Sequence, residues 1–243
     1  MGKIFRYECY RLLWNKFFIG LAIVLLLYGA FVLHVVTILG ISHTAPFSPW
    51  SFGDYLSRML PLLWLGSLLF LTFFTSGNAR RTAVLTAAAP VKPGRYALTR
   101  CAAALTGTAL LTLLCVIEAM VFYSGTFGWY QWESLVLPAV VTLLPPLVFA
   151  LGSGWLLGQY RSWLLYIWMA LPILLWILPL PDALGMWNGS FFTEYPLTLE
   201  ILDPAFSMPL TVLFVQCGLL GAGICLLMVP LCRHWAVEKD RRE

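Results

Sequence analysis

The chain has 243 residues, 60% of them hydrophobic and 11% charged, more apolar surface than one soluble domain of this size can cover, so the bilayer must be its solvent. Its formal net charge of +4 resides in short basic clusters beside apolar runs, where anionic lipid rather than nucleic acid accounts for it. Cys9, Cys101, Cys115, Cys217, Cys225 and Cys232 all fall in apolar runs or at their basic ends; no CxxC metal spacing or disulfide framework follows from them.

In chain order, residues 1–16 read as an interfacial helix, with Phe5, Cys9, Leu12 and Leu13 on one face and Lys3, Glu8, Arg11 and Asn15 on the other. The same stretch also suits a plain charged leader that orients the first span. Apolar runs at 17–40, 59–79, 101–124, 135–158, 163–181 and 207–232 are each expected to cross the membrane as a helix. The first run is too long for a signal-peptide core and is read as a retained span. Between the second and third, Arg80-Arg81-Thr82-Ala83-Val84-Leu85-Thr86-Ala87-Ala88-Ala89-Pro90 predicts a short helix stopped where Pro90 disfavours a helical Ala89. Lys92-Pro93-Gly94 then supplies a turn, and Arg95 to Arg100 start the third span as a helix that begins in the cytosol. Residues 182–206 join acidic residues to Trp187, Phe191, Phe192 and Tyr195. Aromatic rings favour the headgroup zone, so this segment is expected to lie on the outer leaflet or re-enter it, an ordinary external loop being the other reading. A tail at 233–243 closes the chain.

Orientation follows from charge. Of 15 Lys and Arg residues, all but Arg58 lie before the first run, between the second and third, after the fourth or after the sixth. Asp54, Glu133, Asp182, Glu194, Glu200 and Asp203 occupy the alternate connections. Positive charge stays inside, so the expected protein is an all-α, six-span, multi-pass membrane protein forming one transmembrane domain with both termini cytoplasmic.

Chemistry is sparse. No Gly-x-x-x-x-Gly-Lys-Ser/Thr loop occurs, so the chain holds no nucleotide cradle of its own, and His34, His43 and His234 lie in separate regions without a carboxylate cluster. Leu151-Gly152-Ser153-Gly154 loosely resembles the serine motif of six-span rhomboid proteases, yet the last run has no histidine before His234. Small residues that let helices approach account better for Gly154 and Gly158, and for the stripes Ala103/Gly107 and Cys217/Gly221/Cys225. Glu118 is the acid embedded in a span and His34 sits late in the first. Each is a substrate or proton group or a hydrated interfacial side chain.

The pattern resembles the six-span permease subunits of ABC-2 type transporters over essentially the whole chain. The Lys3–Lys16 leader resembles that family's elbow helix, Thr82 to Val91 with Tyr96 to Arg100 resembles its coupling-helix loop, and the acidic aromatic segment before the last span resembles its external re-entrant region. Asn78-Ala79-Arg80-Arg81 departs from the family in lacking acidic residues ahead of that loop. The resemblance implies a bacterial cytoplasmic-membrane exporter whose ATP and Mg bind a separate ATPase dimer, with a second permease chain, identical or paralogous, beside this one. It implies ATPase coupling through Arg80, Arg81, Thr82, Val84, Leu85, Pro90 and Arg95, within an 80–100 loop. Candidates for the substrate pathway or gate are Glu118, His34, Trp187, Phe191 and Phe192. The cargo expected is amphipathic or hydrophobic: a peptide antibiotic, a lipid or a drug. A substrate-capturing vitamin-uptake subunit and an intramembrane hydrolase stand as alternatives.

Overall fold

The computed structural model describes residues 2–75, 93–178, 181, 184–199 and 201–240, with 93, 94 and 230–240 by backbone alone. Its helices are α1 (Gly2–Leu13), α2 (Lys16–Val35), α3 (Pro49–Thr75), α4 (Pro93–Phe127), α5 (Glu133–Tyr160), α6 (Leu164–Ile177), α7 (Ser190–Thr198) and α8 (Leu210–Asp240), with a 3-10 turn at Thr37–Leu39 after α2. No strand occurs among the described residues. Five stretches are long and apolar enough to cross a membrane: Lys16–Leu39, Pro49–Thr75, Arg95–Phe127, Glu133–Tyr160 and Leu210–Val229. Because helices of this length pair most of their backbone donors and acceptors internally, the chain has the make-up of a multi-pass membrane protein.

The sixth expected run, 163–181, forms only the 14-residue α6. At 1.5 Å per residue that is about 21 Å, short of a hydrocarbon core of about 30 Å. The stop is local: Leu178 is extended (φ −78°, ψ 140°), the conformation that a following proline, here Pro179, imposes. The second span errs in the opposite direction and starts at Pro49 rather than near 59. Ser48 caps it, its hydroxyl oxygen accepting from the Ser51 amide at 3.2 Å, and Pro49 sits at the first helical position, where its missing N–H costs nothing. The break between α1 and α2 is likewise written in one residue. Asn15 is extended (φ −81°, ψ 139°) and its side-chain oxygen accepts from the Phe17 amide.

α3 is the central helix. In its apolar window 61% of residues are buried, against 22% for α2 and 17% for α8, which therefore lie at the periphery. Around α3 gather α2, α4, α5, α6 and α7, and its Tyr55, Leu56, Met59, Leu63, Trp64 and Leu68 lie at the heart of the core. Small residues set the closest approaches, as expected for helices packed without a hydrophobic driving force. Gly154 seats Leu68 and Leu71 of α3, and Gly158 seats Thr75. Gly107 seats Leu12 of α1 and Phe70 of α3 beside the buried Ala103. α5 and α8 meet backbone to backbone: a Cβ on Gly223 would stand 2.7 Å from the Phe149 nitrogen. The Cys217/Gly221/Cys225 stripe differs, since Cys217 and Cys225 are exposed and a Cβ on Gly221 would meet nothing within 4 Å.

Candidate functional site

Two layers of polar side chains interrupt the apolar bundle, one at the basic end where α1 lies and one toward the opposite, distal end. At the basic end, Glu8 of α1 is only 2% exposed and Arg100 of α4 only 8%. Tyr96 donates its hydroxyl to Glu8 Oε1 at 3.0 Å, and Arg100 Nη2 donates to the Tyr96 hydroxyl at 2.8 Å. Arg100 Nε lies 3.8 Å from Glu8 Oε1, and Arg11 approaches Glu8 Oε2 at 3.6 Å from the exposed side. A third element joins, because Arg100 Nη1 donates to the Phe74 carbonyl at the end of α3 (3.4 Å), with the guanidinium over the Tyr96 ring at 4.3 Å. Cys9 beside it faces α4 too: burial raises its thiol above the usual range against an opposing hydrogen bond with Thr106, and the neighbouring Glu8 adds to the rise.

This cluster corrects one expectation and extends another. Phe5, Cys9 and Leu12 do face the core, but Glu8 does not take the polar face. At 100° per residue positions 5, 8, 9 and 12 share one stripe, so the helix that buries Phe5 and Leu12 carries Glu8 inward with them, where Arg100 receives it. Of the seven residues expected to couple to an ATPase, Arg95 alone is described; it is exposed, its carbonyl accepting from the Thr99 hydroxyl. Arg80, Arg81, Thr82, Val84, Leu85 and Pro90 lie outside the described residues.

In the distal layer Asp54, expected in a connection, lies inside α3 at 1% exposure. Its carboxylate accepts from Arg58 Nε at 2.6 Å, one turn along the same helix. Such a pair satisfies both charges where a lone carboxylate would be costly, and it accounts for the one basic residue that the charge pattern left over. One residue on, the Tyr55 hydroxyl reaches α4, donating to Glu118 Oε2 at 3.3 Å and to the Cys115 carbonyl at 3.2 Å. Glu118 in turn rests against Gly29 of α2, where any Cβ would collide with the carboxylate. One turn further along α4, Phe122 meets the exposed His34 ring edge-to-face at 4.8 Å. His34 and Glu118 thus share the α2–α4 seam without touching, and Glu118 has no basic partner among the described residues.

The aromatic segment closes over this layer. Trp187, Phe191 and Phe192 are buried, Phe192 completely; their rings face protein, not headgroups. Phe192 lies over Gly53 of α3. Phe191 packs on Trp50 and Tyr195, and Trp50 donates its indole N–H to the Pro204 carbonyl at 2.8 Å. Gly189, with φ +85°, turns the chain directly above the ion pair; a Cβ there would be 2.8 Å from Asp54 Oδ1. Trp187 reaches deepest and meets Trp64 at 5.2 Å between ring centres. Trp64 lies mid-way along α3, about 22 Å from its start by helical rise, so this segment enters the bundle rather than covering its rim. No contact joins these three aromatics to Glu118 or His34 among the described interactions.

Chemically, both layers are suited to holding charge and position. Ser153 donates to the Phe149 carbonyl and accepts from the Trp168 indole at 2.8 Å, so its hydroxyl serves the α5–α6 contact. Among the described residues no three of His, Cys, Asp and Glu stand together as metal ligands. Sequence reasoning missed Glu8, Tyr96 and Arg100 as one site and Asp54 with Arg58 as another. The i,i+4 acid–base spacing of the second was a usable signal; the first joins positions far apart in the chain and had none. No protein-family model, no curated protein and no solved structure matches this chain.

Proposed function

We propose that this chain is the membrane-spanning permease subunit of an ABC-2 type exporter, moving an amphipathic or hydrophobic cargo such as a peptide antibiotic, a lipid or a drug. A dimer of ATPase subunits would supply ATP and Mg, and a second permease chain, identical or paralogous, would complete the pathway in a bacterial cytoplasmic membrane. The observation that carries the reading is the buried Glu8–Tyr96–Arg100 cluster, which ties α1 to α4 and to the last turn of α3. Those are the two helices that flank 76–92, the segment read as the coupling loop. Helices locked together at that point move as one body, so a displacement applied to the loop passes to α3 at the bundle centre. The charge asymmetry supports six crossings with both termini inside, with the run 163–181 that contains α6 as the fifth.

The test is purification of the intact assembly in mild detergent, with its mass and every accompanying chain identified. Two copies of a Walker-motif ATPase with two permease chains is the expected result. A lone chain under conditions that preserve other membrane complexes overturns it. Within an assembly, charge reversal at Arg80 and Arg81 is expected to abolish ATPase association while membrane insertion persists.

A further inference from the structure

We infer that Glu118 is the charge-recognition group for a hydrophobic monovalent cation, an apolar body bearing one protonated amine or onium centre. Three described acids are buried or half-buried in the bundle and two have cations: Glu8 has Arg100 and Arg11, and Asp54 has Arg58. Glu118 alone has none. Arg58 is committed to Asp54 at 2.6 Å, and the polar contacts of the Glu118 carboxylate are neutral donors, the Tyr55 hydroxyl of α3 and the Ala30 backbone amide of α2. An ionisable side chain in the hydrocarbon zone with no basic partner among the described residues points to a partner from outside them.

Depth and surroundings set the class of ligand. Glu118 lies 18 residues beyond Arg100, about 27 Å by helical rise, and 11 residues before Trp129, whose cluster with Trp132 marks an aromatic belt. That places it in the distal third of the bundle, below the interface. It is half-buried, and Ile117 and Val121 beside it on α4, like Phe31 on α2, are exposed on the apolar surface. A hydrated ion has no route through such a flank, whereas an apolar cation partitions along it with its body among acyl chains. Gly29 makes room for the carboxylate itself, since a Cβ there would occupy its position. Identifying this ligand as cargo rests on the permease reading; the site itself does not.

The experiment uses the full chain in nanodiscs of neutral phosphatidylcholine, with tetraphenylphosphonium as probe and the equally shaped tetraphenylborate anion as control. Saturable binding of the cation is expected, weakened about tenfold or more by Glu118→Gln, the loss of one close charge pair in a low-dielectric site. Anion binding should not change. A second measurement needs no variant: the phosphonium should protect Glu118 from carbodiimide labelling, read by mass spectrometry. No saturable binding by the wild-type chain, equal affinity in Glu118→Gln, or labelling unchanged by the cation overturns the inference. Neither measurement involves an ATPase, so absence of that partner would remove the permease reading and leave this site standing.

Discussion

At the scale of single residues, two positions show how local geometry decides what this bundle tolerates. Gly189 combines a left-handed φ of +85° with a hydrogen pointing at Asp54 and Ser57. Gly189→Ala is expected to destabilise by about 1–2 kcal/mol from the backbone alone, and further by crowding the Asp54–Arg58 pair. Thermal unfolding in detergent should show a lowered midpoint. Glu8 is the other case. Truncating one member of a buried ion pair strands its partner at a cost of about 3–5 kcal/mol, so Glu8→Ala and Arg100→Ala should each be strongly destabilising. The double variant should lose much less than the sum, because the second truncation removes the charge that the first left unpaired. Additive losses would show that the two residues act independently.

At the scale of elements, helix boundaries and helix contacts had different visibility. The apolar runs announced α2, α4, α5 and α8 because a bilayer demands about 20 residues of unbroken apolar helix. The expectation that Arg95 to Arg100 begin the third span as helix agrees with α4 starting at Pro93. The apolar run at 59–79 shows only part of α3, because Asp54 and Arg58 interrupt its hydropathy; paired with each other, they lie inside the helix. Hydropathy runs past the end of α6 because Leu178 is apolar and its extended backbone leaves no trace in hydropathy. Contacts follow glycines whose importance depends on the neighbour. Gly223→Leu should force α5 from α8, since the obstructing atoms are Phe149 backbone, whereas Gly218→Leu on the same helix meets nothing within 4 Å and should be neutral. Unfolding midpoints of the two variants provide the check; equal effects would mean that α8 does not pack through Gly223.

For the molecule as a whole, the layout places charge at the ends and pairs or isolates what enters the interior. Six crossings make a geometric prediction about α6: the exposed residues Arg161, before it, and Glu194, beyond it, should lie on opposite sides of the membrane. Single cysteines at Arg161, Glu194 and His43 in a cysteine-free chain, probed in right-side-out vesicles with an impermeant maleimide, should label from outside at Glu194 and His43 only. Labelling of all three, or of His43 alone, would mean that α6 and the segment after it do not cross. The result matters for mechanism, because Trp187 carries that segment down to Trp64 of the central helix, where its movement would be felt through the whole bundle.

By itself the sequence determined the solvent and the helical class, because both depend on sums over many residues: apolar run length, helix propensity and the position of basic clusters. It also determined the inward face of α1 at Phe5, Cys9 and Leu12, where periodicity suffices. Only the tertiary structure decided what each charged or aromatic side chain is for, since that depends on partners far along the chain. Glu8 is buried because Arg100 meets it, Trp187 and Phe192 face protein because α3 lies beneath them, and Glu118 has no counter-charge among the described residues, where Asp54 holds Arg58. Pairing energies inside a low-dielectric bundle are set by distances of a few ångströms, and no period or composition encodes those.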